Sequence, residues 1–216
     1  MTEQNFEPMR RAMVASQLRT TGVNDPRVVA AMGEVARERF VPEARRALAY
    51  ADAFIPLTPG RALNPPMATG RLLTQARLRG HERALVIGAA TGYSAAVLAR
   101  LVASVIALEE DAELAAFAKA ALDGTGVELV KGPLAKGHAA GAPYDFILID
   151  GAVEHLPQAI ADQVADGGEV ALGLLDDGVT RLAVGRVAGG AFGATVFADA
   201  ATVVLPGFEG PRGFSF

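Results

Sequence analysis

The chain has 216 residues, 51% of them hydrophobic, and a formal net charge of −4, which suits one domain with a sizeable buried core and gives no global electrostatic pull toward nucleic acid. Cysteine is absent, which excludes disulfides and thiolate metal sites, and no metal is expected. No uncharged apolar run approaches the roughly 18 residues of a bilayer span, and the start, MTEQNFEPMRRAM, lacks the basic and apolar segments of a signal peptide. The reading is therefore a protein of the cytoplasm with neither membrane nor nucleic-acid partners; its oligomeric state is left open.

In FEPMRRAMVASQLR, Met9, Met13 and Leu18 recur at helical spacing with arginines between them, an amphipathic helix. NDPRVVAAMGEV opens a second helix, with Asn24 or Asp25 as cap and Pro26 in the first turn. FVPEARRALAY is a short helical stretch, FIPLTPGRALNPPMATG is too rich in proline and glycine to be regular, and MATGRLLTQARL resumes a helix. From Arg83 onward, short apolar runs alternate with helical stretches, the signature of βαβ units around a parallel sheet. Strands are expected at ALVIG, SVIALE, VELVKG, YDFILIDG and GEVALGLL, and helices at TGYSAAVLARLV, DAELAAFAKAAL and HLPQAIADQVA. The later Val-, Thr- and Phe-rich segment, broken at Gly190, reads as a hairpin added to the sheet. The terminal GFEGPRGFSF is expected to pack over the sheet edge or meet a second subunit. No linker divides the chain, so one domain is expected, with residues 1–80 as helical cap and loop and residues 81–216 as sheet core.

LVIGAATGYSAA carries a strand through a glycine turn into a helix, Gly88 to Gly92, with Ala90 where such turns usually carry a glycine. In open α/β sheets, ligands bind beyond the carboxyl ends of the strands, and a glycine turn lets backbone approach them closely. Tyr93 stands where a dinucleotide fingerprint wants a small residue, which argues against a nicotinamide cofactor. About twenty residues on, Glu109 and Glu110 end the second strand, where a carboxylate can accept from ribose hydroxyls. Each feature also has a plain structural reading, as a mere turn and as an acidic helix start favoured by the dipole. Together they form a constellation for a nucleoside cofactor.

On these residues the sequence resembles the protein-L-isoaspartate O-methyltransferases, within the S-adenosylmethionine-dependent methyltransferases. The resemblance runs through DPRVVAAM, RFVPE and AYAD near the start, LVIGAATGYSAAVLARLVASVIALEED at the turn and second strand, YDFILIDGAVEHLPQAI at the fourth strand and VADGGEVAL at the fifth. It implies a Rossmann-like α/β fold with a seven-stranded, mostly parallel sheet, one antiparallel strand near an edge and helices on both faces. It further implies S-adenosylmethionine as methyl donor and, as partner, a damaged protein or peptide whose isoaspartyl carboxylate is methylated for repair. The implied cofactor contacts are Gly88, Ala89, Ala90, Thr91, Gly92, Tyr93, Glu109, Glu110, Gly132 and Asp150, with Asn64 in the catalytic place.

Departures from the family pattern cluster at these positions. GRALNPP puts Asn64 where the family carries a serine, Val86 replaces an acidic residue before the turn, Pro133 replaces the aspartate that receives adenine, and Asp150 enters where a threonine-alanine run is usual. Asp150 can compensate for lost cofactor contacts, repel a carboxylate substrate, or simply cap a helix or face solvent; His155 reads as a surface residue. Two alternatives follow: a member that has lost its chemistry and serves as a binding module, or a methyltransferase with another acceptor.

Overall fold

The computed structural model describes residues 5–210. Helix α1 (Glu7–Ala12) runs into a π-helical turn over Met13–Leu18, and α2 (Pro26–Glu34) begins where the Asp25 carboxylate accepts from the Arg27 N–H at 2.8 Å. That cap satisfies one of the unpaired amides of the first helical turn, and Pro26 removes another. The segment expected to be irregular contains a two-rung antiparallel ladder, β1 (Ile55–Pro56) with β2 (Ala62–Leu63). A pairing this short leaves no periodicity in the sequence, yet its turn is what aims Arg61. Helix α3 (Pro66–Gln75) follows.

The remaining elements are β3 (Arg83–Ile87), α4 (Tyr93–Leu98), β4 (Ser104–Glu109), α5 (Ala112–Ala121), β5 (Glu128–Lys131), β6 (Tyr144–Val153), α6 (Gln158–Ala161), β7 (Val164–Asp176), β8 (Val179–Ala188) and β9 (Ala191–Asp199). They form a seven-stranded sheet in the order β5-β4-β3-β6-β7-β8-β9. Pairing is parallel from β5 to β7 and antiparallel at β7–β8 and β8–β9, so β8 alone runs against the others. The expected sheet and late hairpin are both present. Helix α6 is shorter than HLPQAIADQVA suggests, because Val164 is drawn into the sheet opposite Tyr144.

Strand β3 is buried on both sides, which is why it reads as a continuous apolar run. Ala84 and Val86 face a layer that includes Met32, Leu72 and Tyr93, whereas Leu85 and Ile87 face one that includes Ile147, Ile149, Leu205 and Phe208. Val86 is thus a core residue on the capped face of the sheet. After β9 the chain returns across the strand ends: the Ala152 N–H donates to the Val203 carbonyl at 2.7 Å, and the Leu205 N–H donates to the Ala152 carbonyl at 2.9 Å. Phe208 from the terminal stretch is buried, and residues 211–216 of that stretch lie outside the described residues. Among the described residues no helix is long and apolar enough to cross a membrane.

Candidate active site

The strand order reverses between β3 and β6, and the crevice at their carboxyl ends is where an open α/β sheet holds a ligand. On the β3 side the chain turns through Gly88 (φ +76°), Ala90 (φ +51°) and Gly92 (φ +99°) before α4. A left-handed alanine costs about 1–2 kcal/mol relative to the right-handed form, so Ala90 keeps the backbone of a glycine turn without the glycine. The amides of Gly88 and Ala89 donate to the Leu108 carbonyl at 3.0 and 3.1 Å, and that of Gly92 to the Ala89 carbonyl at 2.8 Å. The Thr91 hydroxyl donates to the Phe40 carbonyl at 2.6 Å, tying the turn to the cap.

Glu109, at the end of β4, is completely buried. Its Oε2 accepts from the Ala90 N–H at 2.7 Å, so the turn and the carboxylate paired by the sequence reading are in direct contact. Its Oε1 accepts from the amides of Glu110 and Asp111, both at 3.0 Å. The same two oxygens also take Arg61, whose Nη1 and Nη2 donate at 2.7 and 2.6 Å. Glu110 turns instead toward the next loop, where its Oε2 accepts from the Leu134 N–H at 3.3 Å beside Gly132 and Pro133.

Asp150, on β6, is almost wholly buried rather than facing solvent. Its carboxylate accepts from the Ser94 hydroxyl at 2.5 Å and from the Asn64 Nδ2 at 3.0 Å. Desolvation raises its pKa above the ordinary aspartate value, and these two hydrogen bonds and the Arg37 charge oppose that rise. Asn64 also donates to the Asp150 carbonyl and, through Oδ1, accepts from the Val203 N–H at 2.8 Å, so its amide is fully engaged. Arg37 supports this assembly from below. It is fully buried, donates to the Ala49 and Asn64 carbonyls at 2.8 and 2.7 Å, and lies 4.3 Å from the centre of the Tyr93 ring. Burial lowers its pKa, but a guanidinium stays charged at any relevant pH.

Arg37, Arg61, Ser94 and Leu205 carry no motif that marks them in the sequence. Arg61 stands beside Asn64 in GRALNPP, and a lone arginine in a loop of glycine and proline is the only local signal for it. His155 is exposed, as expected.

A family model described as protein-L-isoaspartate(D-aspartate) O-methyltransferase matches residues 9–186. The chain belongs to the protein-L-isoaspartate(D-aspartate) O-methyltransferase family. Among its relatives, protein-L-isoaspartate O-methyltransferase 1 of Rhodopseudomonas palustris is 40% identical over 171 residues, 78% of this chain and 70% of that protein. Protein-L-isoaspartate O-methyltransferase 2 of Marinobacter nauticus is 36% identical over 212 residues, 96% of this chain and 97% of that protein. A solved structure titled protein-L-isoaspartate O-methyltransferase superposes with a TM-score of 0.81 at 21% identity, covering 92% of this chain and 66% of that one. Another, of the same description and from Plasmodium falciparum in complex with S-adenosyl-L-homocysteine, gives a TM-score of 0.78 at 18% identity, covering 94% and 99%. At these identities the two structures bear on the fold, which is shared. Family membership makes the chain an S-adenosylmethionine-dependent methyltransferase by descent.

In the conformation described, groups that would meet that cofactor are already engaged within the chain. Both oxygens of Glu109 are taken by Arg61 and by backbone amides. The Leu205 side chain lies against Gly88: a Cβ built on that glycine would stand 2.8 Å from Leu205 Cδ1. The close approach that a glycine turn offers a ligand is used here by the chain's own leucine.

Proposed function

We propose that this protein transfers a methyl group from S-adenosylmethionine to the carboxylate of an isoaspartyl residue in a damaged protein, working from an opened form of the crevice. Support comes from the family match over residues 9–186 and from one local observation, the Ala90 N–H bonded to Glu109 at 2.7 Å, which joins the glycine turn to the carboxylate at the place where open α/β sheets hold ligands. The donor is an already activated methyl sulfonium and a carboxylate is already a nucleophile, so the protein has mainly to align them and exclude water. In the opened form Glu109 and the turn residues Gly88 to Tyr93 face the donor, Glu110 and Gly132 flank it, and Asn64 and Asp150 border the acceptor. Residues 1–80 act as the cap over the 81–216 core. The net charge of −4 favours a peptide or protein partner over nucleic acid.

The test is incubation with methyl-labelled S-adenosylmethionine and a peptide in its isoaspartyl and aspartyl forms. Label on the isoaspartyl form alone supports the reading. Donor binding without label on either form points to another acceptor. A second reading, a binding module without chemistry, is favoured by the Arg61–Glu109 pair itself, and failure of the donor to bind would select it.

A further inference from the structure

We infer that Arg61 and Leu205 form a latch that closes the crevice against the methyl donor, so that binding must first release both; the inference rests on the donor reading above. Leu205 is 2% exposed and sits across the two strands between which the sheet order reverses. Its side chain lies over Gly88, which follows β3, and over Gly151 on β6: a Cβ built on each would stand 2.8 Å from Cδ1 and 2.7 Å from Cγ. A ligand that approaches the glycine turn needs this volume, so ligand and Leu205 exclude one another.

The second half of the latch is ionic. Arg61 reaches from the β1–β2 turn and holds both oxygens of Glu109, the carboxylate a ribose would need. Asn64, three residues further on, accepts from the Val203 N–H at 2.8 Å and so links the loop that carries Arg61 to the segment that carries Leu205. Release of one half therefore loosens the other. What remains of the crevice is an open cleft of about 350 Å³ lined by Gly60, Arg61, Glu110, Asp111, Leu205 and Pro206.

Two features make the closure releasable. Among the described residues, the return segment bonds to the β6 backbone at Ala152, by two hydrogen bonds, and Val204 between them is 47% exposed. The Arg61 Nε is buried and has no hydrogen-bond partner, so the closed state leaves one donor unsatisfied. An opened state that is populated to about one part in ten or less lowers the apparent affinity for any ligand of that state in the same proportion.

The experiment is calorimetric titration of S-adenosylmethionine, and separately of its demethylated product, into the wild-type protein, Leu205→Ala and Arg61→Met. Backbone hydrogen exchange of the wild type with and without saturating S-adenosylmethionine accompanies it, because either substitution can also loosen the fold. The expected result is binding about tenfold or more tighter in Leu205→Ala than in the wild type, a change of the same sign in Arg61→Met, and faster exchange of the Val203 and Leu205 amides when the wild type is saturated. Equal affinities with unchanged exchange would overturn the latch and leave the donor reading intact. No binding to any of the three, with faster exchange of residues 202–208 in Leu205→Ala, would mean that the segment opens without admitting the donor, which overturns both.

Discussion

Arg61 and Glu109 meet through two hydrogen bonds of 2.7 and 2.6 Å, with the arginine side chain 5% exposed and the glutamate not at all. Two charges taken out of water are costly unless they are paired and their remaining hydrogen-bonding capacity is met. Here the carboxylate is saturated by five donors, whereas the guanidinium Nε has no partner. The pair therefore holds the crevice in shape, and a group that needs the Glu109 carboxylate has to displace Arg61 from it.

Breaking this pair from one side leaves the other charge buried alone. Arg61→Ala and Glu109→Ala are each expected to lower stability by about 3–5 kcal/mol, and the double variant by clearly less than the sum. Urea unfolding of the four proteins in a double-mutant cycle measures this. Additive losses would show that the two side chains do not depend on one another.

Asp150 makes stability depend on pH in a definite direction. Burial raises its pKa in the folded protein above the ordinary 3.8, so the native state binds this proton more tightly than the unfolded chain does. The contribution is full below the unfolded value and is lost as pH rises through the folded one. Asp150→Asn keeps a group able to pair with Ser94 and Asn64 but cannot ionise, so its stability relative to the wild type should rise from pH 4 to pH 7. Unfolding curves at several pH values across that range give the difference directly; a flat difference would mean that Asp150 titrates as it does in the unfolded chain.

Asn64 bridges Asp150 and Val203 with one amide. Serine at this position is too short to reach both, so Asn64→Ser should leave a buried partner unpaired and cost about 1–3 kcal/mol. The substitution installs the serine that the family resemblance implies here, but no gain in methyl transfer is expected from it while Leu205 still covers Gly88. Denaturant midpoints and a labelled-methyl assay on the same preparation check the two halves separately.

Ala90 has a φ of +51°. Ala90→Gly relieves the left-handed strain, about 1–2 kcal/mol, while the more flexible unfolded chain returns about 0.4–1 kcal/mol of that. A net stabilisation of about 0.5–1 kcal/mol is expected, and a rise in the thermal midpoint would show it. A loss would mean that the alanine methyl makes packing contacts worth more than the strain.

Much of the architecture was legible in the residue order. β4 runs from Ser104 to Glu109 as SVIALE suggests, and α5 starts after Asp111, which caps it. The turn at Gly88 to Gly92 could be located because glycines have to stand where φ is positive. Such features are local: apolar spacing reports which face is buried, and capping residues report where amides would otherwise be unpaired. The sequence also placed Glu109 beside the turn, through the fixed length of a strand-helix-strand unit.

What the residue order could not convey is which distant group meets which. Arg61 and Glu109 are 48 positions apart and Asn64 and Val203 are 139 apart. Nothing in the periodicity of either segment refers to the other. Leu205 reads as one more apolar residue before a proline, and only the return of the chain over Ala152 sets it on Gly88 and Gly151. The type of site follows from local patterns because those patterns obey local sterics and burial. How much of that site is left open is decided by packing between segments remote in the chain, which here sets Leu205 against Gly88 and Arg61 on Glu109.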